Sequence, residues 1–129
     1  MKRPLAIMMS RIIKSIDPDI SLCDAAKMMK QERIGCLLVE EHNHFVGVVS
    51  ESDLVRRGMA EGRDPRLEKI RGIMSSPIIS IEIDRAASEA SDMMSEKGVR
   101  HLGVTDGGKI VGILSVRDLL RYYKNWGAL

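Results

Sequence analysis

The stretch "GVVSESD", residues 47–53, recurs as "GILSVRD", residues 112–118. Each copy reads Gly, two apolar residues, Ser, two variable residues and Asp, directly after an apolar run. The recurrence extends outward. Shifted by 65 residues, the chain aligns with itself without a gap. Met9-Ser10 falls on Met74-Ser75, Ser15-Ile16 on Ser80-Ile81, and Asp19 on Asp84. Met28-Met29 falls on Met93-Met94, Leu37 on Leu102, Val39 on Val104 and Val46-Gly47 on Val111-Gly112. Ser50, Asp53 and Leu54 meet Ser115, Asp118 and Leu119. Two copies are too few for a solenoid and suit two units packed as one module.

Both copies spell the same elements. Ile12, Ile13 and Ile16 make a short β-rich run, echoed by Ile78, Ile79, Ile81 and Ile83. "SLCD" (21–24) is a helix start of the Ser-x-x-Asp kind, and Asp84 is the expected cap of the second copy. The helix bodies are rich in Ala and Met, and Gly35 and Gly98 are the expected stops. Two strands follow. Asp106-Gly107-Gly108 is a strong hairpin turn, and Glu41 to His44 a weaker one. "ESDLVRRGMA" and "VRDLLRYYK" read as closing helices. The expectation is an α/β (α+β) fold of two β-α-β-β-α repeats related by a pseudo-twofold. The expected partition is 1–60 for repeat 1 with its lead-in, 61–68 for a linker and 69–129 for repeat 2.

Composition narrows the function. The chain has 129 residues, 44% apolar and 29% charged, with a net charge of +2. No global field attracts nucleic acid or anionic lipid, and aromatics at 3% are too few for base-stacking platforms. No apolar run approaches the roughly 18 residues of a membrane span. The basic start lacks an uninterrupted apolar core and a cleavage site, so a cytoplasmic location is expected. Two cysteines, Cys23 and Cys36, suit a reducing compartment. With His42 and His44 they match no zinc-ligand spacing, so no metal is expected. The basic residues Arg56, Arg57, Arg63, Arg66, Lys69 and Arg71 are interleaved with Glu61, Asp64 and Glu68 and read as a solvated face. No catalytic triad or carboxylate pair is suggested by spacing, so no enzyme is expected. Tyr122, Tyr123 and Trp126 suit a packing lid or an interface.

The heptapeptide itself carries two readings. Ser followed three residues later by an acid, where strand becomes helix, is a capping box, with the Gly marking close strand packing. The same atoms suit a nucleotide. A helix N-terminus attracts phosphate, a Ser hydroxyl donates to it, and a first-turn carboxylate accepts from both ribose hydroxyls. Both readings stand on the local sequence.

The whole chain resembles a tandem pair of cystathionine-β-synthase (CBS) domains, the Bateman module. The resemblance is carried by "IMMSRIIKSIDPDIS" and "IMSSPIISIEID", the Ala/Met helices, "IGCLLVEE" and "VRHLGVTD", and the doubled Gly-x-x-Ser-x-x-Asp. It implies a regulatory module that binds AMP, ADP, ATP, S-adenosylmethionine or NAD between repeats, has no catalytic cofactor and signals by a shape change. It further implies a homodimer and a regulated partner protein. The alternative is a structural dimerisation module with vestigial clefts. Carried over residue by residue, site one comprises Ser50, Ser52, Asp53, Pro77, Ile78, Ile79 and Ser80, with Arg100 and His101 towards phosphate. A plain surface charge is the alternative for those last two. Site two comprises Ser115, Arg117, Asp118, Ile12, Ile13, Lys14 and Ser15, with Gly35 and Cys36 at the equivalent end. Site one is expected to favour phosphate-bearing nucleotides, and site two to be weaker, different or empty. Many members carry Pro where Leu38 and Gly103 stand.

Overall fold

A computed structural model describes residues 3–125. Trp126, part of the expected aromatic lid, lies outside the described residues. In chain order the elements begin with α1 (Pro4–Met8), β1 (Ser15–Ile16), α2 (Leu22–Glu32), β2 (Cys36–Glu41) and β3 (His44–Ser50). A closing helix follows, α3 (Glu51–Asp53), widening to a π-turn over Leu54–Gly58 and tightening to 3₁₀ over Met59–Glu61. After a 3₁₀ turn (Ile70–Gly72) come β4 (Ser80–Glu82), α4 (Ala87–Lys97), β5 (His101–Asp106), β6 (Lys109–Ser115) and α5 (Val116–Asn125). The strand-helix-strand-strand-helix order therefore occurs twice, as the repeat predicts.

Each repeat builds a three-stranded sheet, β1-β2-β3 and β4-β5-β6, with the first pair parallel and the second antiparallel. The registers match to the residue: Ser15 faces Leu38 and Ser80 faces Gly103, while a bulge falls at Val39/Glu40 and again at Val104/Thr105. Leu38 donates its N–H to the Lys14 carbonyl (3.1 Å) and Gly103 to that of Ile79 (3.0 Å). A proline at either position has no N–H, so its absence here adds a ladder bond to each sheet. Both hairpins use two residues with positive φ, His42 (52°) and Asn43 (64°) in one, Gly107 (60°) and Gly108 (81°) in the other. The "weaker" turn thus adopts the same primed geometry without any glycine.

Helix boundaries follow the expectation in part. Ser21 caps α2, its side chain accepting from the Asp24 N–H at 3.0 Å. Gly98 ends α4 in the left-handed region. Asp84 does not cap α4: it lies in a turn, and Ala86 holds the N-cap position without a side-chain bond. Nor does Gly35 stop α2, which ends two residues earlier with Arg33 at φ 56°. There the Arg33 and Ile34 amides both donate to the Met29 carbonyl, a bonded stop that precedes the glycine.

The chain forms two compact units. The central unit is Lys14–Ile78; the split unit takes the described residues of Met1–Ile13 together with those of Ile79–Leu129. Spatial packing thus divides the chain differently from the linear repeat. The core of the central unit combines Ile16, Leu22, Ala25, Met29, Leu37, Val39 and Val49 with Ile70 and Ile73 from the lead-in to repeat 2. The split unit buries Leu5 and Met9, from the lead-in to repeat 1, among Ile81, Ala90, Met94, Leu102, Val104, Leu114 and Leu119. The residues expected to be a linker fold onto the central unit. Pro65 and Glu68 carbonyls accept from the Cys23 and Leu22 amides, occupying donors that the first turn of α2 leaves open.

Candidate functional site

The repeated glycine has a steric cause. A Cβ on Gly47 would lie 2.8 Å from the Ser75 carbonyl oxygen, and one on Gly112 would lie 2.9 Å from that of Ser10. Residues 75 and 10 run antiparallel to β3 and β6, through paired bonds of Val48 with Ser75 (2.9 and 2.8 Å) and of Ile113 with Ser10 (2.9 and 3.0 Å). Each lead-in therefore crosses a strand at its one residue without a side chain.

Three residues further on, both capping boxes form. Ser50 Oγ accepts from the Asp53 N–H at 3.2 Å, and Asp53 Oδ2 accepts from the Ser50 N–H at 2.9 Å. The second copy repeats this with Ser115 and Asp118 at 3.1 and 2.8 Å. The Glu51 and Val116 amides donate to the carbonyls of Gly35 and Arg100, both at 2.9 Å. The amides of Ser50, Glu51 and Asp53 are thus engaged, as are their counterparts. The expected attraction of phosphate by free helix amides loses most of its donors. The side chains keep capacity. Among the described residues, each cap uses a lone pair of the serine and one carboxylate oxygen, leaving the hydroxyl proton and Asp53 Oδ1 for a ligand. The copies differ here: Asp118 Oδ1 stands 4.0 Å from the Arg121 guanidinium.

The remaining expected residues divide between the units. In the central unit, Cys36 lies opposite Ser50 across the β2–β3 ladder. Burial, assisted by the negative charge of Asp53, pushes its thiol up to about 12. Ser52 and Ile78 are half-buried and Pro77 is exposed. Ser15 Oγ donates to Glu40 Oε1 at 2.9 Å, and Lys14 pairs with Glu32 at 3.7 Å. In the split unit, His101 lies opposite Ser115. Arg100, Arg117 and Ser80 are exposed, Ile13 and Ile79 half-buried, and Ile12 is 75% exposed. Each unit therefore holds part of both expected sets. Ser50 and Asp53 come together with Cys36, and Ser115 and Asp118 with Arg100 and His101.

Sequence reasoning missed what the basic residues do. Arg57 reaches the carbonyls of Ile73 and Met74, Arg63 bonds Glu68 and the Arg57 carbonyl, and Arg71 bonds both Asp19 and Glu41. Charge interleaving signals pairing but not partners 16 to 52 residues away. No group of three or more His, Cys, Asp or Glu side chains placed to hold a metal occurs among the described residues. No helix among them is long and apolar enough to cross a membrane.

Two like units, each a three-stranded sheet with two helices and a Ser–Asp box at the start of the closing helix, define a tandem α/β repeat module. The chain belongs to the CBS-domain family, which matches residues 6–60 and again 70–125. A CBS-domain protein of Burkholderia ambifaria is 31% identical, with a TM-score of 0.84 over 88% of this chain and 83% of that one. A conserved protein of Pyrococcus horikoshii superposes with a TM-score of 0.88 at 27% identity, covering 96% of this chain and 94% of that one. The CBS domain-containing protein YhcV of Bacillus subtilis is 28% identical over 86% of this chain and 79% of its own length. An uncharacterized protein of Methanopyrus kandleri is 34% identical over 81% of this chain, which spans 54% of that relative's length. A CBS-CP12 protein of bloom-forming cyanobacteria, 27% identical with a TM-score of 0.80 over 88% of this chain and 67% of that one, is hexameric.

Proposed function

We propose that this chain is an adenine-nucleotide sensor, without catalytic activity of its own, that reports ligand state to a partner protein through a shift in conformation. One observation supports it above the others: the Ser–Asp box is built twice, and each copy caps its helix while a serine hydroxyl and carboxylate capacity remain for a ligand. A carboxylate so placed suits the two hydroxyls of a ribose, each bond contributing roughly 1.5–3 kcal/mol. AMP, ADP, ATP, NAD and S-adenosylmethionine share that ribose. The first residue set is Ser50, Ser52, Asp53, Pro77, Ile78, Ile79 and Ser80, with Arg100 and His101 for phosphate. The second is Ser115, Arg117, Asp118, Ile12, Ile13, Lys14, Ser15 and Cys36. Two free thiols fit a cytoplasmic setting.

Thermal melting tests this reading. A ligand at about 100 times its dissociation constant stabilises by roughly 2.7 kcal/mol, a readily measured rise in Tm. If none of the five compounds raises Tm, the sensor reading falls.

A second reading, an assembly module, is favoured by apolar residues left exposed. Val116, Leu120 and Tyr123 share one face of α5 and are 36%, 66% and 36% exposed. A homodimer through such helices is compatible with either function. Sedimentation of the whole chain, with and without nucleotide, separates a ligand-dependent assembly from a constitutive one.

A further inference from the structure

We infer that Arg57 is a positioning residue for base selection at the Ser50–Asp53 site, an inference that rests on the adenine-nucleotide reading above. Arg57 stands one helical turn beyond Asp53, in the π-turn of the closing helix. Its Nη1 reaches the carbonyls of Ile73 (2.8 Å) and Met74 (3.3 Å) and Ser75 Oγ (3.4 Å). Three consecutive residues of the second lead-in thus converge on one guanidinium nitrogen.

Both ends of this link are braced. At the helix end, the Arg57 carbonyl accepts from Arg63 Nε at 3.0 Å, and Arg63 is paired with Glu68. The π-turn carries the chain to Gly58, where a Cβ would lie 2.9 Å from Leu22 Cδ1, so the turn is seated directly on α2. At the lead-in end, Ser75 is bonded twice to Val48, and Ser76 Oγ donates to the Val46 carbonyl at 2.7 Å. The next residues are Pro77 and Ile78, the segment proposed to meet the base. A charged donor on main-chain carbonyls is among the stronger neutral-acceptor bonds available, and Arg supplies several donors in a fixed plane. Arg57 therefore sets the lead-in against the helix that carries Asp53, before any ligand arrives.

The repeat isolates the effect. The equivalent position of the second copy is Tyr122, packed against the apolar core of the split unit. The Ser50–Asp53 copy thus carries a guanidinium at this position where the other copy carries a phenol. Loosening the Arg57 tie leaves the ribose and phosphate contacts in place and relaxes the residues beside the base, so discrimination suffers more than overall binding.

The test is calorimetric titration of the whole chain with AMP and with GMP. Every variant is made in an Asp118→Asn background, which weakens the second site further, and the ratio is read from the tighter binding phase. The starting protein prefers AMP; Arg57→Met reduces the AMP:GMP ratio about tenfold, and Arg57→Lys about threefold, since one ammonium replaces the planar donor. Asp53→Asn weakens both nucleotides alike and preserves the ratio. Melting without ligand confirms that each variant folds; should Arg57→Met not fold, Arg57→Lys decides alone. An unchanged ratio in the Arg57 variants overturns the positioning role while the nucleotide reading survives. A starting protein that binds neither nucleotide overturns that reading first, and this inference with it.

Discussion

The Gly47 Cα hydrogen that points at the Ser75 carbonyl oxygen leaves space for nothing larger: a Cβ there would sit 2.8 Å away. The same relationship joins Gly112 to Ser10, with Met9 Sδ crowding from the side. Gly47→Ala and Gly112→Ala should each destabilise by about 1–3 kcal/mol through overpacking against a hydrogen-bonded lead-in. Denaturant unfolding measures this; a loss below about 0.5 kcal/mol, the level of an ordinary surface change, would show that the lead-in yields freely.

The two Ser–Asp boxes match in their caps and differ in what else touches the carboxylate. Asp118 has Arg121 near its second oxygen, and Asp53 has no ion pair among the described residues. Asp53→Asn keeps an acceptor for the Ser50 amide, so folding is preserved while ribose binding weakens by about tenfold or more. Asp118→Asn should cost less. Equal losses in calorimetry would remove the proposed inequality of the sites.

Arg33 ends α2 at a positive φ that most side chains resist, where its counterpart Gly98 meets no penalty. Arg33→Gly should raise stability by about 0.5–1 kcal/mol and Gly98→Ala should lower it by a similar amount. A pair of melting curves checks both signs.

Arg71 joins Asp19 and Glu41, and its hydrogen bonds hold both carboxyls below their ordinary values. A depressed folded pKa contributes stability that is fully present above the unfolded value of about 4 and fades as pH falls through the folded value. Arg71→Met should therefore lower Tm at neutral pH, with the gap to the parent closing in acid and in high salt, because Arg71 and Asp19 are exposed and Glu41 is only half-buried. A gap that widens on acidification would contradict the assignment.

Burial beside Asp53 pushes the Cys36 thiol up to about 12. At about pH 8.5, where an ordinary thiol is half ionised, Cys36 should resist alkylation until the chain unfolds. Mass spectrometry of the labelled native chain reads this directly, and modification of Cys36 before unfolding would show that β2 opens locally.

Much of this structure was legible in the residues. The doubled heptapeptide, the hairpin at Gly107-Gly108 and the Ser21 cap are local features, decided by backbone preference and bonds within a few residues. They sufficed for the element order and for both Ser–Asp boxes. Gly35 is pre-empted by the amides of Arg33 and Ile34, which already bond the Met29 carbonyl, and Asp84 falls in the turn after β4, two residues before the N-cap position that Ala86 holds. In the site, Ser50 and Asp53 could be named in advance, but not that their cap leaves the serine proton and one oxygen for a ligand.

The sequence alone determined the repeat and its internal order, since these rest on periodicity and short-range bonding. Only tertiary structure decided that each lead-in joins the core of the opposite repeat, that glycine at 47 and 112 clears its path, and that Arg57 and Arg71 find partners far along the chain. Those outcomes depend on which apolar faces and carbonyls meet after long loops close, and both lead-ins are short apolar stretches ending in Met-Ser, which gives no local preference for one core over the other.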